Sequence, residues 1–115
     1  MCLVNLFPKK VNIVTQNVNE RLPQECTNIT EVRQEIDHID YEIIRLLATR
    51  FGYVREVVKY KENNDKAIEA PDRRAAVIKS RGQWAREMGL SADVVEELYN
   101  RLIDYYIEEE KKLLR

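Results

Sequence analysis

The sequence predicts an all-α chain of three helices, the first too long for one small globule to cover. Three observations carry that expectation. Apolar residues recur at alternating steps of three and four over more than thirty positions, as on one face of a helix. Pro23, Pro71 and Gly89 fall at the ends of periodic segments, where helices start or stop. Strand signals are confined to the short run "VNIVT" and are too weak for a sheet.

Residues 1–23 mix Val, Asn and Lys without a sustained period, so a mobile extension is expected there, with the helical domain at 24–115. The first helix is expected over about 28–62. Asn28 with Glu31 three residues on resembles a capping box, and Val32, Ile36, Ile39, Ile43, Val54 and Val57 follow at helical spacing. At 1.5 Å per residue it would be roughly 50 Å long, beyond the span of a compact domain of this size, so a second chain must cover it. Only "ENNDK" interrupts it.

The second helix is expected to open at Pro71, which suits a first-turn position, with Asp72 at the positive end, and to stop at Gly89 in a left-handed cap. The third has Ser91 as N-cap and Asp93 in its first turn. Its apolar face reads Val95, Leu98, Leu102, Tyr106 and Leu113.

Composition excludes several functions. Charged residues make up 34% of the chain yet nearly cancel, to a net charge of -1, which argues against nucleic acid or an anionic membrane as partner. Cys2 and Cys26 have neither a paired spacing nor a neighbouring histidine, so no metal site is expected. No stretch approaches the roughly 20 apolar residues of a membrane span, and "MCLVNLFPKK" lacks the order of a secretory signal. A cytoplasmic protein with free thiols is the expectation. There is no Ser/His/Asp order, HExxH or glycine-rich phosphate loop. His38 lies between Asp37 and Asp40 and reads as solvated; Trp84, Tyr105 and Tyr106 read as packing.

The anomaly is on the buried stripe. Eleven residues of helix rotate by three turns plus roughly 20°, so Arg50 and Lys61 leave the first helix in nearly one direction. Buried charge needs water, a carboxylate or an anionic ligand. Arg50 pairing with a core glutamate and Lys61 reaching water at the helix end are the alternatives to a ligand site. Glu110, four residues after Tyr106, adds a third ionisable group on a buried face and points to a lined cavity. Arg33 faces another way, by roughly 260° of rotation, and reads either as a surface arginine or as a group reaching a second chain.

The run "CTNITEVRQEIDHIDYEIIRLLATRFGYVREVVKYK", with "APDRR", "RGQWAREMGL" and "YIEEE", resembles the all-helical chorismate mutase family. It is most similar to the family's isochorismate pyruvate lyase branch, from salicylate and siderophore pathways. The resemblance implies an intertwined homodimer of three-helix chains with two sites, each completed by an arginine from the partner's first helix. Arg33 of the partner would hold one substrate carboxylate, Arg50 the enolpyruvyl carboxylate, and Lys61 the ether oxygen and that carboxylate. Arg73 would help organise the site.

Two departures from the family pattern matter. Glu110 stands where many relatives carry glutamine, and can donate a hydrogen bond to the ether oxygen only when protonated. Burial disfavours its charged form while Lys61 and Arg50 favour it, so an acidic optimum is implied. Ala70 and Arg74 stand where typical chorismate mutases carry carboxylates for the ring hydroxyl, which favours isochorismate or another chorismate relative. The implied reaction is cleavage of isochorismate to salicylate and pyruvate, with weaker conversion of chorismate to prephenate. Being pericyclic, it requires no nucleophile, metal or organic cofactor. The alternatives are a monofunctional chorismate mutase, a 4-amino-4-deoxychorismate mutase and a non-catalytic helical dimer.

Overall fold

The computed structural model describes residues 19–115; Cys2, "VNIVT" and the rest of the expected extension up to residue 18 lie outside the described residues. Among the described residues there is no strand. A 3-10 turn at Pro23–Glu25 precedes helix α1 at Ile29–Val57. A second 3-10 turn, Val58–Tyr60, leads to the one-turn helix α2 at Asp65–Glu69. Helices α3, Pro71–Glu87, and α4, Ala92–Leu114, complete the chain. The three long helices are the three expected. By contact the chain divides into two units, one ending at Thr49 and one running from Arg50 to Arg115.

In the first unit, the start of α1 satisfies its orphan amides as its sequence predicts. Asn28 Oδ1 accepts the Glu31 N–H at 2.9 Å, and Glu31 Oε1 accepts the Thr27 N–H at 2.8 Å. The hydrogen bond from the Thr27 backbone holds the Glu31 carboxyl below its ordinary pKa. One turn on, Glu35 is buried and gathers donors from the preceding segment. Its Oε1 accepts Asn19 Nδ2 at 2.9 Å and the Glu20 N–H at 3.1 Å, and its Oε2 lies 3.2 Å from Arg21 Nε. His38 is not simply solvated: Nδ1 stands 3.5 Å from Glu35 Oε1. The apolar stripe of this unit is exposed, with Val32 at 40%, Ile36 at 51% and Ile43 at 49%.

In the second unit, the first helix stops earlier than expected. The chain tightens into the Val58–Tyr60 turn, where the Lys61 N–H bonds the Val58 carbonyl at 3.2 Å, and Lys61 itself is extended (φ -104°, ψ 143°). "ENNDK" does more than interrupt. Asn64 Oδ1 accepts the Ala67 N–H at 2.9 Å and so caps α2, a helix the apolar period was too short to reveal. Ala70 then turns through the left-handed region at φ 43°, and Pro71 takes the first position of α3.

The end of α3 is a Schellman closure: Leu90 N–H to Ala85 O at 2.8 Å and Gly89 N–H to Arg86 O at 3.2 Å, with Gly89 at φ 81°. Ser91 Oγ accepts the Val94 N–H at 3.3 Å and starts α4. Ile68, Val77, Ala85, Tyr106 and Ile107 form the core. The buried face of α4 differs from the expected one, since Leu98 is 63% and Leu113 55% exposed while Tyr106, Ile107 and Glu110 are buried. Two adjacent stripes on α4 satisfy the same spacing, and packing against α3 selects the one that includes Ile103 and Ile107.

The far end of α4 is fastened to the segment after Lys61. Arg115 Nη2 pairs with Asp65 Oδ1 at 2.5 Å and Nε donates to Asn63 Oδ1 at 3.3 Å. Asn63 Nδ2 donates to the Leu114 carbonyl at 3.2 Å, and Lys111 Nζ reaches Glu69 at 3.4 Å. No helix among the described residues is long and apolar enough to cross a membrane.

Candidate active site

The second unit encloses a cavity of about 100 Å³ between the end of α1, the Lys61–Ala70 segment, α3 and α4. Arg50 and Val54 enter it from α1, Arg73 and Val77 from α3, and Tyr106 and Glu110 from α4. Thus Arg50, Lys61, Arg73 and Glu110, four of the five predicted site residues, line one space. Arg33 is exposed on α1 and is not among the lining residues.

Lys61 reaches the cavity from an extended residue, so the helical rotation expected to align it with Arg50 does not operate. Its ammonium donates to Glu110 Oε1 at 2.7 Å and to the Ile68 carbonyl at 2.9 Å. Glu110 is 5% exposed. Lys61 therefore does not reach water at a helix end, the alternative expected for it, but makes an ion pair with the predicted Glu110.

For Arg50 the expected alternative, an ion pair with a core glutamate, does not hold among the described residues. Its guanidinium carbon lies 5.2 Å from the Tyr106 ring centroid and 5.8 Å from that of Tyr99, so aromatic faces cradle it in place of a carboxylate. Its Nη1 is buried with no hydrogen-bond partner among the described residues. A buried guanidinium nitrogen left unsatisfied in a cavity wall is unfavourable unless a ligand supplies an acceptor. Arg73, exposed in the first turn of α3, makes no ion pair among the described residues. Two cations at the cavity are thus uncompensated, the condition for holding an anion.

Arg74 also lines the cavity, but its guanidinium is committed. Nη2 pairs with Asp104 at 2.8 Å and donates to Asn100 Oδ1 and O, each at 3.1 Å. Beside Ala70 the carboxylate of this part of the wall is that of Glu69, which is shared with Lys111 at 3.4 Å. Sequence reasoning missed the tyrosine cradle and the Ile68 carbonyl. Tyr99 and Tyr106, seven residues apart on α4, carry the helical spacing that signals one face, but a core tyrosine has that spacing too.

The described residues are all-helical or turn around a cavity whose cations come from α1, the segment after it and α3, and the chain's relatives say which class this is. Residues 32–111 match the family described as chorismate mutase type II. The chain belongs to that family and is an enzyme of its kind. Among individual proteins, it is 39% identical over 95 residues to the isochorismate pyruvate lyase of Pseudomonas aeruginosa, covering 83% of this chain and 93% of that protein. It is also 36% identical over 75 residues to the T-protein of Haemophilus influenzae, covering 65% of this chain but only 20% of the T-protein. A bifunctional chorismate mutase/prephenate dehydratase of Buchnera aphidicola is 28% identical over 83 residues, which are 72% of this chain and 22% of that enzyme.

Proposed function

We propose that the protein is an isochorismate pyruvate lyase, cleaving isochorismate to salicylate and pyruvate, with a weaker chorismate mutase activity. The observation that carries this reading is the buried, unpartnered Nη1 of Arg50 in a cavity it shares with Lys61 and Arg73. The relative named for lyase activity matches over nearly its whole length. Ala70 and Arg74, in place of the carboxylates expected of a typical chorismate mutase, favour a substrate other than chorismate.

In the proposed reaction the ether C–O bond breaks as a ring hydrogen passes to the enolpyruvyl methylene, so the substrate's own atoms give both products. The protein's part is to select a folded substrate conformer and to stabilise charge as it grows on the ether oxygen. Arg50 binds the enolpyruvyl carboxylate, with Tyr99 and Tyr106 fixing its plane. The partner subunit's Arg33 takes the ring carboxylate, and Arg73 organises that end. Lys61 donates to the ether oxygen, which enters between it and Glu110 and replaces their mutual contact.

The working form in this reading is a cytoplasmic intertwined homodimer, built from residues 24–115 with 1–23 as an extension. The exposed stripe of Val32, Ile36, Ile39 and Ile43 supports it. So does the cavity, which at about 100 Å³ is below the several hundred typical of ligand pockets.

The test is to give purified protein isochorismate and chorismate separately and follow salicylate fluorescence and prephenate. Salicylate release is expected to dominate. Arg50→Ala and Lys61→Ala are each expected to lower kcat/KM by about 10²-fold or more with the circular dichroism spectrum retained. Prephenate as the only product would make the protein a mutase. Full activity in both variants would refute the site.

A further inference from the structure

A second arginine stands behind Arg50. Arg81 lies on α3 with its guanidinium carbon 4.6 Å from the Trp84 ring centroid and 5.8 Å from that of Tyr99, the ring that also meets Arg50 at 5.8 Å. Beyond Arg50 come Tyr106, then Phe51 stacked on it at 5.3 Å. Trp84, Arg81, Tyr99, Arg50 and Tyr106 thus form one column in which rings and cations alternate, with Phe51 stacked on its last ring. The column's far end lies outside the cavity lining, so the reaction chemistry assigned above leaves Arg81 unused.

Two features make Arg81 an odd choice as filler. Among the described residues its Nε is buried with no hydrogen-bond partner, and the guanidinium is held by neutral groups alone, Nη1 donating to the Ser80 hydroxyl at 2.8 Å and the Tyr99 side chain supplying a further hydrogen bond; no carboxylate pairs with it. Burial, joined by the charges of Arg73 and Arg50 and opposed by Tyr99, lowers its pKa from the ordinary arginine value. An apolar residue would fill the gap between Trp84 and Tyr99 without that repulsion. A cation that repels two others at a site is tolerated when all three are relieved by one anionic ligand.

We propose that Arg81 is a positioning residue of the anion site: its charge, transmitted past Tyr99, raises the positive potential at Arg50 and Arg73 and so strengthens the hold on the substrate's carboxylates. It acts on ground state and transition state alike, because the carboxylates keep their charge throughout. Its signature is therefore in KM, with little change in kcat. The inference rests on the proposed function, which makes the ligand a dicarboxylate.

The experiment compares wild type, Arg81→Met and Arg81→Lys. Kinetics use whichever of isochorismate and chorismate the wild type turns over, and calorimetric titration uses prephenate as a dicarboxylate probe. Arg81→Met is expected to raise KM and the prephenate Kd by roughly tenfold, the scale of one unit charge several ångströms away at an effective dielectric of about 20. Its kcat should stay within about threefold of wild type, and Arg81→Lys, which keeps the charge, should recover most of the loss. If Arg81 only packs, both variants lose melting temperature while KM and Kd stay at wild-type values, or Lys fails to rescue; either result overturns the proposal. Wild type that binds prephenate but turns over neither substrate would remove the lyase reading and leave Arg81 to be judged on Kd alone. Wild type that binds nothing would remove both.

Discussion

Lys61 and Glu110 are each other's partner in the cavity, and this sets what substrate must do to enter. The ammonium and carboxylate stand at 2.7 Å, with Glu110 almost fully buried. A carboxylate there accepts from Lys61 and offers nothing to an ether oxygen; a carboxylic acid donates. Glu110→Gln, which removes the charge and keeps a donor toward the ether oxygen, is therefore expected to retain or raise kcat/KM, whereas Glu110→Ala, which leaves Lys61 without its partner, should lower it. A loss in Glu110→Gln as deep as in Glu110→Ala would contradict the assignment.

These two residues also show how far single positions were legible. Both were found as polar interruptions of apolar stripes, a signal that survives ignorance of the exact backbone. The geometry inferred for Lys61 was nonetheless wrong, because a helical count cannot see the Val58–Tyr60 turn. The cradle of Arg50 was invisible for another reason: tyrosines packing a core and tyrosines supporting a guanidinium leave one pattern.

Among the elements, helix ends were the most readable feature. Asn28, Pro71, Gly89 and Ser91 each act within a few residues, so the backbone groups they satisfy can be named from sequence alone. Asn64 obeys the same rule and escaped notice because α2 has only five residues and no period to mark it. The clasp at Glu35 lay beyond such reasoning, since its donors come from Asn19 and Glu20, some fifteen positions away.

That clasp makes a pH-dependent prediction. The Asn19 side chain first, then the Glu20 N–H, Arg21 and His38, hold the Glu35 carboxyl below its ordinary value of 4.5 against the opposing effect of burial. A carboxyl whose folded pKa is depressed stabilises the fold above its unfolded pKa and stops doing so as pH falls through the folded one. Wild type should therefore melt above Glu35→Gln near pH 7, and the difference should vanish once the pH is well below 4.5. An equal difference in strong acid would show that the clasp works without the charge.

For the molecule as a whole, what the sequence made legible was a mismatch: a first helix longer than its own chain can cover. The exposed stripe on α1 agrees with that reading, and the proposed dimer resolves it. If each site takes Arg50 from one chain and Arg33 from the other, two inactive variants should repair each other. Arg33→Ala and Arg50→Ala, unfolded and refolded together, should regain roughly a quarter of wild-type turnover, because half the random dimers are mixed and each mixed dimer has one complete site. No recovery from a mixture shown to contain mixed dimers would place Arg33 outside the site.

The fastening of Arg115, Leu114 and Lys111 to residues 63–69 has a consequence for the order in which the protein can be built. Those contacts close loops of some fifty residues, so their C-terminal halves are made well after the segment they fasten. A nascent chain that has passed Gly89 already carries Arg50, Lys61 and Arg73, but neither Glu110 to pair with Lys61 nor the anchors for its segment. Until α4 emerges these cations are without their acidic partner. The site therefore closes only after α4 is made, and synthesis must reach the final turn of that helix before the cavity has a wall.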